Sequence, residues 1–197
     1  MNKKVGTAYS AFFDSFKYYI PSLELMRDDV EKFDLIIFPG GEDINPNLYG
    51  QKNRFSYYND IRDSKELKVL QKALELNKKI FGACRGHQLI NAFLGGELTQ
   101  DINLDLHLNH TGDHELIPVD KHLRKMLTLP KLDSIIFKFF DDVNSLHHQG
   151  VVIVGEGLIP TSFYNGVYES CESKNIITVQ FHPEFMNNSK SFFNFLV

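Results

Sequence analysis

The stretch Lys79-Ile80-Phe81-Gly82-Ala83-Cys84-Arg85-Gly86-His87-Gln88 places a cysteine between two glycines, after an apolar run and before a helix-like pattern. Glycines without a Cβ let a strand and the following helix approach closely, while the central side chain points out of the bend. The helix start then favours a thiolate and can bind an oxyanion. The stretch predicts a strand–turn–helix elbow with Cys84 as candidate nucleophile, although a lone cysteine at a strand end is often only a small buried hydrophobe.

Apolar runs and helical spacing alternate along the rest of the chain. The run at 34–38 ends at Pro39-Gly40-Gly41, which is typical of a buried parallel strand closed by a glycine turn. This alternation predicts an α/β fold, a three-layer sandwich with a mostly parallel central sheet and an active site at the carboxyl ends of its strands. Further strands are predicted at 4–9, 20–26, 79–81 and 176–181, helices at 11–19, 63–77, 88–94 and from 188 onward, and a region of short strands and turns over 134–154, with a strand at 134–139.

Length and composition predict a single domain over residues 1–197. The chain is 43% hydrophobic and 23% charged, which is ordinary for a soluble protein, and it contains no apolar run long enough to span a membrane. Its net charge of -4, without a basic block, gives no electrostatic reason to bind nucleic acid or a membrane surface, so a small-molecule partner is expected. Two cysteines cannot form a disulfide framework, and no export signal opens the chain, so a cytoplasmic location is predicted.

A base for the cysteine is found in the stretch Val179-Gln180-Phe181-His182-Pro183-Glu184, at the end of another predicted buried strand. Residues two apart in an extended segment project to the same side, so His182 and Glu184 can act together. An imidazole can take the thiol proton and return it to a leaving amine, while a carboxylate fixes its tautomer and orientation. The predicted triad is therefore Cys84, His182 and Glu184, although an isolated His-Pro-Glu is more often a surface turn.

A third strand end provides candidate donors for an oxyanion. The backbone N–H of Gly41, unobstructed by a side chain, can face a substrate carbonyl oxygen, and the N–H of Arg85 follows the nucleophile directly. Two such donors form an oxyanion hole. Standing alone, Gly40-Gly41 would be interpreted only as a turn.

Six motifs then occur in order, and together they resemble a known family. From about residue 34 onward, the chain resembles a class I glutamine amidotransferase-like domain of flavodoxin-like architecture, specifically the peptidase C26 branch of γ-glutamyl hydrolases that includes γ-glutamyl-γ-aminobutyrate hydrolase. The motifs are FPGGEDINP at 38–46, RDxxE at 62–66, GACRGHQLIN at 82–91, GGxLxQD at 95–101, NSxHHQ at 144–149 and VQFHPE at 179–184.

The resemblance implies an amidohydrolase without a cofactor. It implies that Cys84 attacks the γ-amide of a γ-glutamyl compound, forms a γ-glutamyl thioester and releases glutamate. It also implies that Gln88, Asn144 and Ser145 bind the glutamyl group. The leaving group is left open: the substrate is either a small γ-glutamyl amine or a nucleotide-linked amide such as γ-glutamyl-CDP-amidate. The resemblance is also compatible with a homodimer.

Two other functions compete with this hypothesis. The chain could be a glutaminase subunit that passes ammonia to a partner synthase, but Arg85 stands where many ammonia-donating relatives have an aliphatic or aromatic residue. It could also be a binding or sensor domain with an inactive site, which the presence of every catalytic residue disfavours.

Three further groups of residues are given no catalytic role. His107, His110 and His114 have a spacing that suggests a metal site, but no nearby cysteine completes it and the resemblance implies no metal, so none is predicted. The next pair, His147-His148, is expected to line the pocket or to be structural, since His182 fits better as the base. Cys171 is placed in a polar loop between carboxylates and is expected to be unreactive.

Overall fold

The computed structural model describes residues 3–27, 29–110, 112–119 and 133–197, and within them a mixed sheet forms the centre of the molecule. The strands are β1 (Val5–Thr7), β2 (Leu23–Leu25), β3 (Leu35–Phe38), β4 (Lys79–Ala83), β5 (Glu97–Thr99), β6 (His114–Glu115), β7 (Asp142–Val143), β8 (Gly150–Ile153), β9 (Ile159–Tyr164), β10 (Val167–Glu172) and β11 (Ile176–Val179). Nine of them form the sheet in the order β2-β1-β3-β4-β11-β10-β8-β5, with β9 paired to β10, and a separate ladder joins β6 to β7.

Helices cover both faces of this sheet. The strand β3 shows why, because Leu35 and Ile37 join one buried apolar cluster while Ile36 and Phe38 join the other, as expected when successive side chains point to opposite faces. The helices are α1 (Phe13–Tyr19), α2 (Asp60–Glu75), α3 (Arg85–Phe93), α4 (Ile102–Leu106) and α5 (Lys190–Leu196). The predicted three-layer α/β class is confirmed.

The sheet divides into a parallel half and an antiparallel half. Strands β2, β1, β3, β4 and β11 pair in parallel, so β3, β4 and β11 end side by side at one edge. Beyond β11, the pairs β11–β10, β10–β8, β8–β5 and β10–β9 are antiparallel. In the part of the chain that the structure describes, no helix is long and apolar enough to cross a membrane.

Two local predictions are wrong, and both errors involve one buried carboxylate. Cys171 lies in strand β10, fully buried, and not in a polar loop. The stretch 134–139 contains a 3-10 turn, Ile136–Lys138, and not a strand. The Glu172 carboxylate accepts hydrogen bonds from Ser134 Oγ at 2.6 Å and Ile135 N at 3.0 Å. Because Glu172 is a hydrogen-bond partner for Ser134 Oγ and for the backbone N–H of Ile135, these polar groups can be buried. The pairing joins residues far apart in the chain, so local sequence does not indicate it.

Burial raises the pKa of the Cys171 thiol, and the neighbouring Glu172 carboxylate raises it further. A thiol in this state is a poor nucleophile.

Candidate active site

The elbow between β4 and α3 holds its cysteine in a rarely populated backbone conformation. Cys84 has φ 50° and ψ −105°, and its N–H donates to the carbonyl of Val179 on β11 at 2.8 Å. Such conformations cost about 1–3 kcal/mol and persist only where the surroundings enforce them, commonly at functional sites. Gly86 permits the turn, since a Cβ there would lie 2.1 Å from the Phe38 carbonyl oxygen.

Three strand ends converge on this cysteine. His182 follows β11 and Gly40 follows β3, and both strands are neighbours of β4. A Cβ on Gly40 would lie 2.5 Å from Cε1 of His182, so the absence of a side chain leaves room for the imidazole. Cys84 is 5% exposed, whereas the elbow motif alone predicts an outward-pointing side chain. The loops after the flanking strands enclose it.

His182 lies between a thiol and a carboxylate. Its Nδ1 is 2.7 Å from Oε1 of Glu184, and both side chains are buried. Burial lowers the pKa of His182, but hydrogen bonds to Cys84 and Glu184, together with their negative charge, outweigh this effect and raise the pKa to about 10. The structure thus brings together the three side chains of the predicted triad, with the imidazole of His182 between the Cys84 thiol and the Glu184 carboxylate.

Asn144 positions the histidine from the other side. Its side-chain Nδ2 donates to the carbonyl of His182 at 2.8 Å, and its Oδ1 accepts from the N–H of His182 at 2.8 Å. This two-way clamp fixes the backbone of the candidate base. The motifs assign Asn144 to the substrate, and no local signal in the sequence indicates that it pairs with a residue far along the chain.

The loop after β3 is held by a buried arginine. Arg62 is 1% exposed, and its Nη2 donates to the carbonyl of Gly40 at 2.8 Å while its Nη1 binds Glu42 Oε2 at 2.6 Å. Gly41 adopts φ 142°, and a Cβ on it would lie 2.1 Å from Nη1 of the same arginine. The loop that carries the candidate oxyanion donor Gly41 is therefore fixed before any substrate arrives.

A second buried arginine anchors the elbow to α2. The guanidinium of Arg85 binds Glu66 through Nη1 and Asp63 through Nη2, and these side chains are almost fully buried. Burial raises the pKa of Asp63 more than the N–H of Asn45 and the Arg85 guanidinium lower it. The backbone N–H of Arg85 is at the first position of α3, where an N–H has no partner within the helix.

We expect Arg85→Ala to lower the free energy of unfolding by about 3–5 kcal/mol, because it leaves buried carboxylates without their partner. Arg54→Ala is the matched control. Its guanidinium binds Asp105 at 2.8 Å but is half exposed, so about 0–1 kcal/mol is expected. Urea unfolding at neutral pH measures both. Equal small losses would show that the buried cluster does not hold the elbow.

The other two predicted substrate-binding residues lie in a buried polar region. Gln88 donates through Nε2 to the Gln149 carbonyl at 3.3 Å and to Gln180 Oε1 at 3.2 Å. The Oγ of Ser145 is buried and has no hydrogen-bond partner among the described residues, which leaves it free to bind a ligand.

Two phenylalanines beside the histidine have no counterpart in the motifs. The ring of Phe185 stacks on His182 at a centroid distance of 5.2 Å, and the ring of Phe12 meets it edge-on at 5.5 Å. Phe12 has φ 55°, a strained value for a bulky residue. Aromatic residues are so frequent in this chain that their positions carry no signal in the sequence.

The stability of the protein should depend on pH through His182. A group whose pKa is raised from 6.5 in the unfolded chain to about 10 in the fold contributes stability that is complete below about pH 6.5. This contribution is lost as the pH rises towards about 10. We therefore expect wild type to lose more unfolding free energy than Glu184→Gln between about pH 7 and 9.5 in urea titrations. Parallel losses would contradict the coupling.

The sequence is similar to one protein family and to individual members of related enzymes. The family model described as Peptidase C26 matches residues 17–184. A protein of Lactococcus lactis described only as glutamine amidotransferase-like, YvdE, is 32% identical over 171 residues, which cover 84% of this chain and 72% of that protein. The γ-glutamyl-γ-aminobutyrate hydrolase PuuD of Escherichia coli is 27% identical over 179 residues, covering 82% and 68%.

The fold has close counterparts among solved structures. A protein of Thermoplasma acidophilum, described as a candidate component of GMP synthase, superposes with a TM-score of 0.68 at 16% identity, over 100% of this chain and 94% of that one. At this identity the similarity shows the fold alone.

The sheet order, the elbow and the sequence similarities together define a class I glutamine amidotransferase-like protein. Within that class, the chain belongs to the peptidase C26 family and is a hydrolase that acts on amide bonds. The resemblance of the six motifs is thereby confirmed at the level of the family.

Proposed function

We propose that this protein hydrolyses the γ-amide bond of a small γ-glutamyl compound through a γ-glutamyl thioester on Cys84. The observation that carries the proposal is the convergence of Cys84, His182 and Glu184 at the ends of β4 and β11, with the histidine hydrogen-bonded to Glu184 at 2.7 Å. The family is one of amide-bond hydrolases, and PuuD is named as a γ-glutamyl hydrolase.

In the first half-reaction, the Cys84 thiolate attacks the γ-carbonyl carbon. The carbonyl oxygen gains negative charge, which the backbone N–H groups of Gly41 and Arg85 stabilise. The carbon–nitrogen bond then breaks as the His182 imidazolium gives its proton to the leaving amine. The products of this step are a free amine, a γ-glutamyl thioester and a neutral imidazole.

In the second half-reaction, the neutral His182 takes a proton from water as the water oxygen attacks the thioester carbon. The carbon–sulfur bond breaks, glutamate leaves, and the thiolate–imidazolium pair is restored. Glu184 keeps the imidazole oriented throughout and transfers no proton. The cycle consumes one water and needs no cofactor.

The surroundings of His182 favour a leaving group larger than ammonia. The proton donor must face the departing nitrogen, so aromatic rings packed against the imidazole of His182 lie near the leaving-group side. The rings of Phe12 and Phe185 are packed in this way, are 37% and 43% exposed and offer apolar surface there. Such rings suit an alkyl amine or the base of a nucleotide-linked amide, because both can pack against an aromatic face.

Steady-state kinetics of the isolated chain test this proposal. Glutamine is compared with a panel of γ-glutamyl amines and nucleotide-linked γ-glutamyl amides, with and without candidate synthases. We expect at least one larger amide to exceed glutamine in kcat/KM by about tenfold or more without any partner, because contacts to the amine can lower the barrier. If glutamine is best, and only with a synthase, the chain is instead a glutaminase subunit.

A further inference from the structure

A cluster of three histidines and one glutamate lies outside the catalytic triad. Glu169 Oε1 is 3.2 Å from Nε2 of His110 and 3.9 Å from Nε2 of His147, and its Oε2 is 3.7 Å from Nε2 of His114. All four side chains are almost completely removed from solvent, and the carboxylate itself is fully buried. A buried carboxylate requires a compensating positive charge.

Hydrogen bonds do not account for these contacts. Within the described segments, neither oxygen of Glu169 and none of the three facing Nε2 atoms has a hydrogen-bond partner of acceptable geometry. The atoms are therefore close to one another without forming hydrogen bonds. Buried polar atoms left in this way call for an ion or a proton between them.

The tautomers reinforce this point. His147 Nδ1 lies 2.8 Å from the carbonyl of Gln149, and His114 Nδ1 lies 3.4 Å from the carbonyl of Gly112. A carbonyl only accepts, so each Nδ1 carries the hydrogen and each neutral ring turns the lone pair of Nε2 towards Glu169. Lone pairs facing a carboxylate repel it unless a cation lies between them. Backbone carbonyls that fix the ring of a histidine in this manner are typical of metal ligands.

We propose that His110, His114, His147 and Glu169 bind one divalent metal ion of the zinc class. Four ligands about 2.0–2.1 Å from a tetrahedral ion lie about 3.3 Å from one another. Oε1 of Glu169 is 3.2 Å from His110 Nε2 and 3.9 Å from His147 Nε2, and Oε2 is 3.7 Å from His114 Nε2. The ligand atoms of His110, His114 and Glu169 all lie within 4.8 Å of one another. Imidazole nitrogens with one carboxylate suit zinc better than calcium or magnesium.

A site with four protein ligands is closed and therefore structural. It would tie together the segment that contains His110 and His114, the loop with His147, and the strand β10. The Gln149 carbonyl that holds His147 also accepts from Gln88. The ion would thus stiffen the buried polar region beside the elbow without touching the thiol.

Cobalt(II) binding to the purified chain, after removal of metal with a chelator, tests this inference. The titration uses the Cys84→Ala background, so that the active-site thiol cannot act as a ligand. We expect about one equivalent to bind, with the strong visible absorption of tetrahedral cobalt, without a sulfur charge-transfer band, and with displacement by zinc. Adding Glu169→Gln should weaken binding at least about 100-fold.

His107→Asn is the matched control, because His107 is exposed in the same stretch, and asparagine tolerates its φ of 55°. It should bind cobalt as the background does. If Glu169→Gln binds cobalt as tightly as the Cys84→Ala background, or if His107→Asn weakens binding as much as Glu169→Gln does, the proposed metal site is wrong. If Glu169→Gln does not fold, the background protein decides: no tetrahedral spectrum and no rise in Tm with zinc would mean that the cluster holds only a proton. These readouts are independent of amide hydrolysis.

Discussion

Replacing Cys84 with alanine should lower the rate of γ-glutamyl amide hydrolysis on the order of 10⁵-fold, because no other group can form the thioester. The fold should persist. The side chain is small, and the elbow is held by backbone contacts, including the 2.8 Å bond from its N–H to Val179. Single-turnover assays with circular dichroism measure activity and fold on the same samples.

Cys171→Ala is the control for this change. The thiol of Cys171 is fully buried in β10, and burial raises its pKa, so its loss should leave activity within about twofold. If Cys84→Ala keeps its activity, or if Cys171→Ala loses it, Cys84 is not the nucleophile.

Replacing His182 with alanine should be nearly as damaging, lowering kcat by about 10⁴-fold, because both half-reactions need a proton at this position. Glu184→Gln should cost less, since the side chain only orients the imidazole and transfers no proton. His107→Asn, in an exposed position outside the triad, serves as the control. Steady-state kinetics at several pH values would separate the loss of proton transfer in His182→Ala from the loss of imidazole orientation in Glu184→Gln.

A small effect of His182→Ala would mean that the base lies elsewhere. His148 would then be the next candidate, since it is half exposed at the edge of the site with Nε2 3.1 Å from Asp43 Oδ1. That hydrogen bond, opposed by burial and aided by the charge of Asp43, raises the pKa of His148.

The features that local sequence predicts best are those set by neighbouring residues. The strand at β3 and the elbow at Cys84 are predictable because apolar runs and glycine spacing act within a few positions. The parallel α/β class follows from their alternation.

The features that local sequence does not predict depend on partners far along the chain. Strand β10 contains Glu169 and Glu172, so its polar stretch has the composition of a loop. In the structure each carboxylate is buried against residues from distant segments, and such pairing has no local periodicity. For the same reason, local sequence does not predict that Asn144 clamps the backbone of His182.

Mass spectrometry of the acid-quenched enzyme during turnover is the most direct test of the thioester mechanism. A γ-glutamyl amide is mixed with wild-type protein, the reaction is stopped within the first turnover, and the digest is mapped. We predict one added γ-glutamyl group on the peptide that contains Cys84, released by hydroxylamine as the hydroxamate and absent from Cys84→Ala. Turnover with no adduct on Cys84 under any quench, or an adduct on Cys171, would contradict the mechanism.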